Sequence, residues 1–146
     1  MNRDELQQLW RASWDGEGWI ASWRGACADL SAAQAGWKPS PDRHSIWQNV
    51  NHVIFWRDFT SCIAEGRPKP SQEQTERLNF ADRAELTDAA WRKTLADLEK
   101  SHRDIEAIIG DQNRSIDRVK HHLSHDPYHL GQIMLLRALQ GLKPLV

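Results

Sequence analysis

At 146 residues the chain suits one compact domain that can bury roughly two-thirds of the surface of its extended form. A formal net charge of −1 leaves no broad footprint for nucleic acid or an anionic membrane, and no apolar run is long enough to cross a bilayer. Cys27 and Cys62 lie far apart and outside any Cys-x-x-Cys spacing, so neither a disulfide framework nor a thiolate zinc knuckle is indicated, and both thiols are expected in the core.

Helical periodicity runs through the chain, and no segment shows the alternation of a strand, so an all-α domain over 1–146 is predicted. The start, Met1-Asn2-Arg3-Asp4-Glu5, lacks an apolar signal core, which predicts a cytoplasmic protein. A first helix is expected from Asp4 to about Asp15, stopped by Gly16 and Gly18, and a shorter piece from about Gly18 to Asp29. Eight Trp stand against one Tyr and three Phe; Trp10 with Trp14, and Trp19 with Trp23, are spaced to share helix faces as core or as pocket wall. Ser31 can cap one more turn before Gly36, and Gly36 to Asp42 reads as a loop. Ser45 is the expected N-cap of a long helix ending near Gly66. Arg67-Pro68-Lys69-Pro70 then opens a polar connection of about fifteen residues, a surface loop or a lid over a site. From Thr87, the stripe Trp91, Leu95, Leu98, Ile105, Ile109 predicts a third long helix closed by Gly110, with His102 on the same stripe. A fourth is expected from near Ser115 to Gln140, before Gly141 and Pro144. Four long amphipathic segments make a four-helix bundle the economical architecture.

The densest chemistry lies in His125-Asp126-Pro127-Tyr128-His129. Spaced by four on a helix, His125 and His129 share one face about a turn apart, as two ligands of one metal ion must. His52, in the apolar-rich segment Ile46 to Ile63, is the candidate third ligand. It shares its face with Phe55, Trp56 and Phe59 on one side and Ser45, Gln48 and Asn49 on the other, which predicts aromatic depth and a polar mouth. His121 and His122 fall toward the polar start of the helix, where the rim is expected, and either could be an extra ligand or a proton carrier. His102 either faces the core or joins the cluster. Pro127 predicts a kink or a helix start, because its ring clashes with the carbonyl of Leu123 and removes a hydrogen bond. Gly131 suggests close approach by a neighbouring helix or ring, and Asp126 is placed to hold a ring N–H or to cap a turn.

The phrase His125-Asp126-Pro127-Tyr128-His129-Leu130-Gly131-Gln132-Ile133, followed by Leu135-Leu136-Arg137, resembles the C-terminal signature of the DinB/YfiT-like metalloenzymes. Trp37-Lys38-Pro39, His44-Ser45-Ile46-Trp47 and the His52 to Trp56 segment resemble the rest of that pattern, in order. Pro127 departs from it in detail. The resemblance implies an up-down-down-up four-helix bundle, a divalent metal held by His52, His125 and His129, and a homodimer.

Three imidazoles with an open coordination position form a catalytic rather than a closed structural site. Zn, Ni, Fe or Mn would suit them, since three imidazoles accept several first-row ions. No Glu stands where His-Glu-x-x-His would require it, which disfavours peptide hydrolysis by that route. The expected function is metal-dependent chemistry on a small molecule, either hydrolysis or, as the resemblance suggests, transfer to a low-molecular-weight thiol. The alternative is a metal-binding dimeric module with a structural or sensing role and no turnover.

Overall fold

The computed structural model describes residues 1–16, 19–82 and 85–145, and every regular element among them is helical. In chain order these are α1 (Arg3–Asp15), α2 (Trp23–Ala28), α3 (Ala32–Gly36), α4 (Ile46–Ala64), α5 (Gln72–Leu78), α6 (Asp88–Gly110) and α7 (Val119–Leu139). The four long ones, α1, α4, α6 and α7, match the four amphipathic segments of the sequence. None of the described helices is long and apolar enough to cross a membrane.

Local chemistry explains most of the helix starts. Asn2 with Glu5, Ser31 with Gln34, Ser45 with Gln48 and Ser71 with Gln74 close reciprocal capping boxes, and Thr87 accepts from the Ala90 amide to open α6. Such a cap contributes about 1 kcal/mol by satisfying donors that the helix leaves open. Gly16, at φ 89°, ends α1 in the left-handed region that its missing Cβ permits.

Long side chains then tie the helices together through backbone groups that helix ends leave unpaired. Arg3 donates to the Ile108 and Ile109 carbonyls at the end of α6, at 3.3 and 2.9 Å. Arg137, buried on α7, donates to the Ala26 carbonyl and forks onto Asp29 at 2.7 and 3.0 Å, fastening α7 to the end of α2. Trp47 of α4 packs edge-on against Trp91 of α6 and donates its indole N–H to Thr94 at 2.9 Å. Leu6, Trp10, Ile105, Ile108, Ile109 and Val119 form a second apolar cluster at the other end of α6.

Several expectations need correction. The second piece begins at Trp23, capped by Ser22, and its predicted start at Gly18 lies outside the described residues. Trp19 stands outside the helix and is fully exposed, so it shares no face with buried Trp23. The polar connection is not a plain surface loop: it carries α5, which buries none of its side chains, and then returns to the body at Asn79–Ala81. α7 starts at Val119 rather than near Ser115, because Ser115 and Asp117 close a small turn on each other at 3.0 and 3.2 Å. Pro127 sits inside a continuous α7 and starts no helix. At Gly131 an added Cβ would meet nothing within 4 Å, so no neighbour requires the glycine.

His102 follows its apolar stripe into the core. It lies against Trp10 and Trp14 with ring centroids 4.8 and 4.9 Å away, while its Nδ1 is buried without a partner. Burial, reinforced by the Arg57 charge, pushes its pKa down to about 3, so the ring is a neutral packing element.

Candidate metal centre

α4 and α7 bring the three predicted histidines together. His52 and His129 are buried and His125 is half-buried, and one ligand atom from each lies within 4.8 Å of the others. The closest pair is His52 Nε2 and His125 Nε2, at 3.0 Å.

The hydrogen bonds behind the rings decide which nitrogens face the centre. His52 Nδ1 donates to Asn79 Oδ1, His125 Nδ1 to Asp126 Oδ1 at 2.9 Å, and His129 Nδ1 to Gln132 Oε1 at 2.8 Å and Asn49 Oδ1 at 3.1 Å. Amide and carboxylate oxygens accept only, so each Nδ1 must carry the hydrogen, and a neutral ring is left with a bare Nε2 lone pair. Two such lone pairs 3.0 Å apart repel unless a cation lies between them. A proton could bridge two of the nitrogens, whereas a metal ion accommodates all three. Bonds of about 2.0–2.1 Å to each imidazole are compatible with that 3.0 Å spacing. The donor set therefore fits a divalent cation. Burial, helped by the neighbouring imidazoles, pushes His52 and His129 down to about 4, so neither has to shed a proton to bind an ion near neutral pH.

Behind His125 is a fully buried charge cluster. Asp126 Oδ1 accepts from His122 Nδ1 as well as from His125, each at 2.9 Å, and Oδ2 accepts from Arg57 Nε at 2.7 Å. Burial alone would raise the Asp126 carboxyl; Arg57 and the two imidazole donors outweigh it and hold the group far below the usual carboxylate range. Arg57 is itself sandwiched by Trp10 and Trp23, with its guanidinium carbon 4.9 and 5.2 Å from their rings. His122 is thus not at the rim: it is buried, and its Nε2 accepts from Thr60 at 2.9 Å. His122, His125 and Asp126 could also hold a cation. Their facing atoms already satisfy one another, however, which makes them the better support for His125. His121 is exposed and stands apart from both groups.

The expected polarity of the His52 face is reversed except at Phe55, which is buried as expected. Ser45, Gln48 and Asn49 are buried, whereas Trp56 and Phe59 line the open cavity beside the histidines. That cavity, about 590 Å³, also takes in Phe80, Arg118 and Tyr128 and reaches all three candidate ligands. Asn79 and Phe80, from the segment after α5, complete the site although the sequence did not single them out. Phe80 stacks between His44 and His52, with centroids 3.9 Å from each. It holds φ at 54°, rare for a bulky side chain and costing on the order of 1–2 kcal/mol. A lone aromatic in a polar stretch was the only sequence signal for it. Arg57 offered as little, being one of two adjacent charged residues in an otherwise apolar run.

In comparison with known proteins, the sequence model of a family described as the DinB superfamily matches residues 18–133, and so includes all three histidines. No curated protein and no solved structure matches the chain.

Proposed function

The chain belongs to the DinB superfamily, and on that premise we propose a metal-dependent enzyme acting on a small molecule at a divalent ion held by His52, His125 and His129. The observation that carries this reading is the 3.0 Å contact between two imidazole Nε2 atoms whose opposite nitrogens are committed as donors. The cavity beside the rings favours an exchangeable ligand over a closed structural site. Zn, Ni, Fe or Mn would each suit the donors, and when bound would supply a Lewis acid that lowers the pKa of a coordinated water or thiol. Hydrolysis and transfer to a low-molecular-weight thiol are the two reactions proposed. The protein's own contribution is to fix the rings through Asn79, Asp126, Gln132 and Asn49 and to offer an aromatic wall to the substrate.

We further propose one domain with the long helices in an up-down-down-up bundle. Its support lies in the contact pairs: Arg3 with Ile109 and Trp10 with His102, Trp47 with Thr94 and Arg57 with Ser101, and His52 with His125 and Thr60 with His122. The proposal extends to a cytoplasmic homodimer. Unpaired, buried Cys27 and Cys62 suit a reducing compartment, and exposed Leu9, Trp19 and Ile20 line a mainly apolar hollow suited to a subunit contact.

The test is metal analysis of protein purified without an affinity tag, beside His52→Ala and His129→Ala variants. One ion per chain is expected in the parent, and loss of most of it in both variants. Full occupancy in His52→Ala would overturn the ligand set. A thiol and electrophile screen on the metal-replete protein then tests turnover, and its absence with full occupancy would favour the structural or sensing module.

A further inference from the structure

Eleven residues line the cavity that reaches the histidines, and no Asp or Glu is among them. Arg118 is the one permanent cation there. It is exposed, and none of the described acids forms an ion pair with it. The neighbouring carboxylate, Asp117, is engaged with Ser115 and Lys120 instead. The Arg118 guanidinium carbon lies 5.9 Å from the Phe59 ring.

Its position relative to the histidines follows from helix geometry. Arg118 precedes His125 by seven residues at the mouth of α7, which places it on the same face about 10 Å along the axis. On the opposite wall Phe59 follows His52 by the same seven residues of α4, with Trp56 between them. The cavity is therefore a trough with the three candidate ligands at one end and the Arg118 guanidinium at the other; between them α4 supplies the flat rings of Trp56 and Phe59 with Thr60, and α7 supplies the rings of His121 and His122. Such a trough excludes a cationic ligand and gives an uncharged one no use for the guanidinium. A planar fork of N–H donors matches a carboxylate. Arg118, as the one permanent cation of that lining, balances a single negative charge.

We propose that the trough binds a small monocarboxylate with a flat apolar body, its carboxylate on Arg118 and its far end toward His52, His125 and His129. Arg118 is then a substrate-positioning residue that selects for the anion. The inference rests on the metalloenzyme reading for the orientation of the ligand, and not for the carboxylate contact itself.

Isothermal titration with 2-naphthoate and its uncharged analogue 2-naphthamide tests this, using metal-loaded protein, metal-stripped protein and the Arg118→Gln variant. Metal content and thermal midpoint are recorded for each. In the parent, naphthoate should bind at least tenfold more tightly than the amide, the ratio should fall below threefold in Arg118→Gln, and affinity for the amide should change little. Exposure of Arg118 means that the variant should melt with the parent. Arg118→Lys should recover part of the preference, as a point charge without the fork. Equal binding of the two probes, or no binding of either at millimolar concentration, overturns the proposal. So does a preference that survives in Arg118→Gln but vanishes on metal removal; that result moves the carboxylate to the ion and leaves the metal reading standing. The reverse failure is separate: a chain that takes up no metal yet keeps the Arg118-dependent preference retains this site and loses the metalloenzyme.

Discussion

Asp126→Asn should weaken the protein in two separable ways. In the parent, one carboxylate takes two imidazole N–H donors at 2.9 Å and a guanidinium at 2.7 Å. The Arg57 and Asp126 side chains are 0% and 3% exposed, so water cannot replace what is lost. An asparagine offers one acceptor and one donor side. If its oxygen faces Arg57, its NH2 confronts the two Nδ1–H groups and drives their hydrogens to Nε2, which on His125 is the atom that faces the metal site. If its oxygen faces the histidines, the NH2 confronts Arg57 and leaves a buried charge unpaired. Removing one partner of such a pair costs about 3–5 kcal/mol. For a chain of this size that is a fall of about 6–20 °C in the thermal midpoint. Loss of the acceptor behind His125 should also lower metal affinity by about 10–100-fold. Urea melts of metal-free protein read the first effect, and competition with a chelator reads the second. Replacing both partners, Arg57→Met with Asp126→Leu, should recover part of the stability, since no charge stays buried, but not the metal affinity. A single variant within about 1 kcal/mol of the parent, and within threefold in affinity, would refute the role given to this cluster.

His102→Phe should flatten the acid limb of the stability curve. The ring is neutral in the fold down to about 3 but takes a proton near 6.5 once unfolded. Its neutral form therefore supports the fold fully above 6.5, and that support is lost as pH falls toward 3. Removing the group should cut the slope near pH 5 by up to about 1.4 kcal/mol per pH unit in urea melts of metal-free protein, and an unchanged slope would contradict this. Asn79→Leu takes away the acceptor that orients His52; metal affinity by chelator competition should drop about 10–100-fold. The metal-free thermal midpoint should move less than it does in Asp126→Asn, because Asn79 is only partly buried and carries no charge.

The helical class, most element boundaries and the His125/His129 pair were legible because they depend on short-range patterns. Ser45, Thr87 and Gly16 act within a turn of themselves, and a spacing of four puts His125 and His129 on one face in any helix. The errors fell where the outcome depends on distant partners. Trp19 and Trp23 have the spacing of a helical pair, yet only Trp23 has a core to enter. His122 looked peripheral because its neighbours in sequence are polar, while Thr60 and Asp126 enclose it in space. The polarity of the His52 face, Phe55 excepted, was read backwards for the same reason. Polar Ser45, Gln48 and Asn49 are buried because they have hydrogen-bond partners there, while Trp56, partly buried, forms part of the cavity wall.

By itself, then, the sequence determined that this chain would be helical and that His125 and His129 share one face, both of which follow from periodicity along single helices, and it offered His52 as a candidate third ligand. Only the tertiary structure decided how those imidazoles are held. Asn79 reaches His52 from the far side of α5, Asn49 reaches His129 from α4, and Arg57 reaches Asp126 through a cage of indoles. A ring's tautomer is set by the acceptor behind it, and that acceptor can come from any part of the chain that folding brings within about 3 Å.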